Sequence, residues 1–205
     1  CDEKIKTVSF DLFDTLLMRP LWVPQDLFYF VQEEVSPFFA GAEENAFVRM
    51  RVFSEQRCRE LGRVYDASSE DVTLAEIYRT MEGLYRLPEG MADALRRAEE
   101  ETEKKLIRAR ECGKQLFELA RALGKKVVLV SDMYLSKECV GEMLAKCGIA
   151  GYDGLYVSCE YRKLKYTGNL FRIVLQETGT APQEMLHIGD SWQNDVLSPR
   201  ALGIN

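Results

Sequence analysis

From residue 125 onward, short apolar runs alternate with helical patterns, and that alternation constrains the fold more than any other feature of the chain. Val127-Val-Leu-Val130 is a continuous apolar run, which suits a strand buried on both faces. Leu155-Tyr-Val157 and Met185-Leu-His-Ile188 read as two further short strands. Helical patterns fill 113–123, 136–147 and 168–178 and close at Gly124, Gly148 and Gly179, where a helix end favours glycine. Alternation of this kind implies a parallel sheet with helices on both sides. Near the start, Ile5–Phe10 is β-rich and runs into the polar cluster Asp11-Leu-Phe-Asp-Thr15, a strand entering a loop.

The stretch from about 20 to 112 has no convincing strand. Pro24 opens an apolar pattern through Leu27, Phe28, Phe30, Val31 and Val35, stopping at Ser36-Pro37. A second helix carries Phe47, Met50, Phe53, Cys58 and Leu61 before Gly62. Thr73 with Glu76 is a capping box for a third, and Pro88 begins a long, charged fourth that ends before Gly113. The aromatic and Met stripes read as bundle core, and Trp22, Phe28 and Tyr29 as part of that packing. The charge run 96–111 reads as the solvated face of the fourth helix. The expected organisation is an α/β core of residues 1–19 and 113–205, with an all-helical domain, 20–112, inserted after the first strand.

The chain has 205 residues, 33 acidic and 27 basic, a formal charge of −6 and a single histidine. Chemistry that needs two histidines is excluded, including a paired-histidine zinc site. The acidic balance argues against nucleic acid as a partner, because counterion release needs clustered Lys and Arg. The six cysteines, Cys1, Cys58, Cys112, Cys139, Cys147 and Cys159, show no metal-ligand spacing and read as reduced, mostly buried residues of a cytoplasmic protein. No apolar run approaches the roughly 20 residues that span a bilayer. Cys1-Asp-Glu-Lys lacks both an initiator Met and a signal-peptide core, which points to a piece of a longer, multidomain chain.

In a parallel sheet, ligands bind at the carboxyl ends of the strands. Here those ends carry Asp11, Ser131 with Asp132, and Asp190 leading to Asp195, while Lys165 lies just ahead of the helix before the last strand. Converging carboxylates repel one another unless a cation neutralises them. Mg²⁺ suits such a site, since it takes one or two carboxylates and completes its shell with water and phosphate oxygens. A small phosphorylated substrate is the partner that this chemistry points to. Lys163 competes with Lys165 for the phosphate, but Lys165 stands two residues before the N-cap candidate Thr167. His187, inside a strand, reads as a packed, hydrogen-bonded core residue.

Four segments in order resemble the haloacid dehalogenase (HAD) superfamily of hydrolases. They are Val8-Ser-Phe-Asp11-Leu-Phe-Asp14-Thr-Leu-Leu17, Val-Leu-Val-Ser131-Asp-Met-Tyr, Lys165-Tyr-Thr-Gly-Asn-Leu-Phe and His-Ile-Gly-Asp190-Ser-Trp-Gln-Asn-Asp195. The resemblance implies a Rossmann-like core with a helical cap after the first motif. It implies Asp11 as a nucleophile forming an aspartyl-phosphate. Mg²⁺ would be held by Asp11, Asp190 and the backbone carbonyl of Phe13, with Asp195 supporting directly or from behind. Ser131 and Lys165 would bind the phosphoryl group. The variant of the first motif, with Ser-Asp-Met-Tyr in the second, resembles a bacterial subgroup often joined to surface-polysaccharide modules such as glycosyltransferases.

One departure matters. The phosphatase pattern has a second aspartate two residues after the nucleophile as general acid and base, and this chain has Phe13 there. Asp14 takes that role only if the loop turns it inward. Three functions are therefore in view: an Mg²⁺-dependent phosphatase, a weak or inactive domain that binds a phosphorylated ligand or organises a polysaccharide enzyme, and a haloacid dehalogenase. Those dehalogenases carry an aromatic residue at the same place but need no metal and lack the Gly-Asp pair, which Gly189-Asp190 supplies here.

Overall fold

The computed structural model describes residues 3–205, so Cys1 lies outside the described residues. Residues up to Arg19 group with Ile107–Asn205 as one compact unit, and Pro20–Leu106 form another. The boundary expected after residue 112 therefore falls six residues earlier. Arg108–Ala109 is a short strand, β3, that pairs antiparallel with β2, Leu17–Met18, and so belongs with the α/β unit.

The α/β unit is built on four parallel strands: β1 (Thr7–Phe10), β4 (Lys126–Ser131), β5 (Gly154–Val157) and β6 (Met185–Ile188), in the order β5-β4-β1-β6. All four strands predicted from the sequence form. β1 and β4 are buried almost throughout, as expected of strands covered on both faces. Val128 and Val130 of β4 pack with Leu170, Phe171 and Val174 of α8 (Asn169–Thr178). On β1, Phe10 meets Phe117 of α5 (Glu111–Ala122) edge to face, with centroids 6.0 Å apart. α6 (Lys137–Lys146) links β4 to β5, and two single-turn helices, α7 (Ser158–Tyr161) and α9 (Ser198–Ala201), follow β5 and close the chain.

Gly113 does not terminate the fourth helix but lies inside α5. A Cβ there would stand 1.9 Å from the Thr15 carbonyl oxygen, so only glycine lets α5 touch the turn after β1. That turn is tight: the Leu12 carbonyl accepts from both Leu16 and Leu17 N–H at 2.8 Å, and Asp14 is left-handed at φ 62°.

The second unit is helical, with α1 (Leu27–Glu34), α2 (Ala46–Tyr65), α3 (Leu74–Tyr85) and α4 (Met91–Leu106). The capping box at the start of α3 forms: Thr73 Oγ1 accepts from Glu76 N–H at 3.2 Å, and the Glu76 carboxylate accepts from Thr73 N–H at 2.8 Å. Its interior differs from the expectation. Arg51, Glu99 and Glu103 are fully buried, so the charge run of α4 is not simply a solvated face. Arg51 of α2 donates to both Glu99 oxygens at 2.6 and 2.9 Å and to Glu55 at 2.9 Å. The Tyr78 hydroxyl of α3 donates to Glu99 at 2.6 Å, and the Arg51 guanidinium lies 4.7 Å from the centroid of the Phe28 ring of α1. One arginine thus ties together all four helices. Trp22 and Tyr29, expected in the bundle core, are exposed, whereas Phe28 is buried.

Among the described residues no helix is long and apolar enough to cross a membrane. The five described cysteines are all free, with Cys58, Cys139 and Cys159 buried and Cys112 exposed.

Candidate active site

Parallel register sets the height of each site residue. Phe10 pairs with Leu129 on one side and Ile188 on the other, so Asp11 emerges level with Val130 and Gly189. Ser131 and Asp190 stand one residue further, a rise of about 3.3 Å. The Asp11 N–H donates to the Ile188 carbonyl at 2.8 Å, which fixes the carboxylate at the sheet edge. The chain leaves β1 for β4 on one side and later returns to β6 on the other, so this edge is a topological switch point, where open α/β sheets bind ligands.

Carboxylate oxygens of Asp11, Asp190 and Asp195 lie within 4.8 Å of one another. Lys165, buried, places its ammonium 2.5 Å from Asp11 Oδ1 and 2.7 Å from Asp195 Oδ1. Three carboxylates against one ammonium leave two negative charges, which matches a divalent cation. The donors are all hard oxygens, and their span is close to the ~4.2 Å covered by two opposed Mg–O bonds. The residues present therefore fit Mg²⁺, and Asp11 and Asp190 are the carboxylates that would hold it.

Asp195 uses both oxygens on protein donors. Oδ1 accepts from Lys165 and from His187 Nε2 at 3.1 Å, and Oδ2 accepts from the Ser191 N–H at 3.0 Å. A carboxylate only accepts, so His187 carries its proton on Nε2, and Nδ1 accepts from the Ser9 hydroxyl at 2.7 Å. Gly189 makes this close approach possible: a Cβ there would stand 2.3 Å from Asp195 Cγ. Asp195 itself lies in a π-helical turn, Trp192–Leu197, capped by Ser191 Oγ, which accepts from Asn194 N–H at 3.3 Å.

Burial pushes Asp11 up to about 6; Asp195 adds to that, and Lys165 opposes it. For Asp195 burial also raises, but the His187 hydrogen bond and the Lys165 charge outweigh it and hold the carboxyl well below the usual range. Burial pulls Lys165 down, yet Asp11, Asp195 and Asp132 together lift it above the ordinary lysine value, so it stays an ammonium. Burial also lowers His187, which is neutral.

The structure thus joins Asp11, Lys165, Asp190 and Asp195. Ser131 closes β4 and is buried beside them in register. Phe13 is half-buried, and its ring carries the Arg19 guanidinium, 4.2 Å from the centroid. Asp14, offered as a replacement acid, is exposed. Its backbone is engaged instead: the N–H donates to Leu17 at 2.6 Å and the carbonyl accepts from Arg110. A left-handed residue in a tight turn departs from the extended geometry that would alternate side chains.

Asp132 and His187 support the site. Asp132 accepts the Lys165 backbone N–H at 2.8 Å, and His187 bridges Ser9 to Asp195. The available signal was position: each is within one or two residues of a strand's carboxyl end.

The fold is shared with solved structures. An L-2-haloacid dehalogenase from Xanthobacter autotrophicus superposes with a TM-score of 0.61 at 16% identity, covering 98% of this chain and 75% of that one. A putative HAD-hydrolase of Bacillus subtilis bound to magnesium gives 0.65 at 16%, covering 98% and 86%. The chain has the haloacid dehalogenase fold. A HAD family enzyme from Bacteroides thetaiotaomicron, in complex with magnesium and inorganic phosphate, gives 0.61 at 16%, covering 98% and 92%. No family model and no curated protein matches the sequence. The HAD fold accommodates both halide and phosphate chemistry, so the choice between them rests on the residues of the site.

Proposed function

We propose that this HAD-fold chain is an Mg²⁺-dependent hydrolase of small phosphomonoesters. The observation that carries the reading is the acidic trio Asp11, Asp190 and Asp195, with Lys165 bonded to the first and third. A dehalogenase displacing halide from carbon without a metal has no use for Asp190, a second carboxylate beside the nucleophile that needs a cation to neutralise it.

Asp11 is the nucleophile: one oxygen bonds phosphorus as the bond to the leaving alkoxide breaks, the alkoxide takes its proton from solvent, and water then attacks phosphorus to break the Asp11–phosphorus bond and release phosphate. Lys165 neutralises Asp11 while the phosphate approaches and then follows the charge onto the transferring oxygens. Ser131 donates to the same group. Asp195 holds Lys165 in place, and His187 and the Ser191 N–H hold Asp195. When bound, Mg²⁺ supplies positive charge that offsets the carboxylates and the phosphate oxygens.

A second reading has its own observation. Phe13 cannot move a proton and Asp14 is exposed, so no carboxyl acid stands where the leaving group needs one. A domain that binds a phosphorylated ligand with little turnover fits that gap. Phosphate release from an aryl phosphate and from sugar and nucleotide phosphates, with and without Mg²⁺, separates the two. The hydrolase reading expects Mg²⁺-dependent release that Asp11→Asn abolishes. Equal inertness of both proteins over the panel, with phosphate binding retained, would establish the second.

A further inference from the structure

Among the described residues of the α/β unit only two aromatic side chains are exposed, Tyr166 at 60% and Trp192 at 66%. Every other ring there is buried or half-buried. Both exposed rings sit on segments that build the acidic site. Tyr166 directly follows Lys165, and Trp192 opens the π-helical turn that delivers Asp195. Ser198 joins the two segments: its hydroxyl oxygen lies 2.9 Å from the Tyr166 carbonyl and 3.0 Å from the Gln193 carbonyl. Among the described residues neither the Tyr166 hydroxyl nor the Trp192 indole N–H has a hydrogen-bond partner.

Leaving an indole in water forgoes one of the largest burial gains a side chain offers. Here the backbone keeps it there through a capped π-turn, a form that gathers at functional sites. A flat ring with a donor at its edge is suited to stack on another flat ring and bond its periphery. An open alkyl chain offers such a surface little contact and loses rotamer freedom on binding.

We propose that Tyr166 and Trp192 form the recognition face for the alcohol part of the substrate, and that this part carries a planar unsaturated ring. The inference rests on the phosphomonoester reading above and names its substrate class.

Benzyl phosphate and butyl phosphate both leave as primary alkoxides, so comparing them isolates the ring. Trp192→Ala and Tyr166→Ala should each lower kcat/KM for benzyl phosphate by about tenfold and for butyl phosphate by less than about twofold, with Trp192→Phe restoring most of the loss. Equal losses on both substrates, or selective loss on glucose 6-phosphate instead, would overturn the proposal. A second readout does not need turnover. The chain has two tryptophans, and Trp22, in the helical unit, is 99% exposed. In Trp22→Phe/Asp11→Asn protein, Trp192 emission should respond to saturating benzyl phosphate with Mg²⁺ and not to butyl phosphate. If wild type turns over neither ester but the emission responds selectively, the recognition face stands and the hydrolase reading falls. Turnover of both esters with silent emission and no discrimination removes the face and leaves the reaction.

Discussion

At the scale of single residues the site depends on what two positions lack. Gly189 lacks a side chain, so that Asp195 packs against its Cα and presents oxygens to Lys165, His187 and the Ser191 N–H. Gly189→Ala should push Asp195 and Lys165 out of line and cut phosphate release by about 100-fold. Its circular dichroism should stay that of wild type; undiminished activity would contradict the packing argument. Phe13 carries no transferable proton, so on the phosphomonoesterase reading proposed above no carboxylic acid at this position protonates the leaving group. Phe13→Asp should raise turnover of alkyl phosphates by about 10²-fold or more and flatten the dependence of rate on leaving-group basicity. An unchanged dependence would show that another group already supplies the proton. The carboxylates and Lys165 were legible in the sequence because they follow short apolar strands. Asp132 and His187 were less so, since their roles depend on which donor meets which acceptor across segments far apart in the chain.

At the scale of elements, the helical unit is organised around a charge. Helix periodicity located α1 to α4, but it assigns charges to the outside and so missed Arg51, Glu99 and Glu103. Arg51→Met leaves Glu99 buried without its cation and should cost about 3–5 kcal/mol in urea unfolding. Arg51→Met combined with Glu99→Met should recover most of that loss, because a filled apolar site replaces two desolvated ions. Full additivity of the two single losses would contradict the pairing. Glu55 carries a pH signature. Burial raises its pKa, but Arg51 and Arg59 together outweigh burial and lower it. The folded carboxyl thus binds its proton less tightly than the unfolded one. The resulting stability is complete above the ordinary glutamate range and is lost as pH falls through the folded value. Glu55→Gln should therefore lower the unfolding midpoint at pH 7 and make it less sensitive to acid; a parallel downward shift at every pH would argue against the linkage.

At the scale of the whole molecule, the strand order places three separate stretches of chain at one sheet edge. Residues 11, 165 and 190–195 meet there because β1 is central, with β4 and β6 on either side. The strand–helix alternation made the parallel sheet readable, while the β2–β3 pairing, two residues in each strand, was too short to leave a periodic signal. That pairing is also why the unit boundary lies at 106 rather than 112. The central claim is that this edge forms a covalent bond to phosphorus through Asp11. Acid quenching of wild-type protein mixed with Mg²⁺ and an aryl phosphate, followed by peptide mass mapping, tests it directly. A phosphoryl group on Asp11, absent without Mg²⁺ and absent in Asp11→Asn, is the predicted result; phosphate release with Asp11 unmodified throughout turnover, or a phosphoryl group on any other residue, would contradict it.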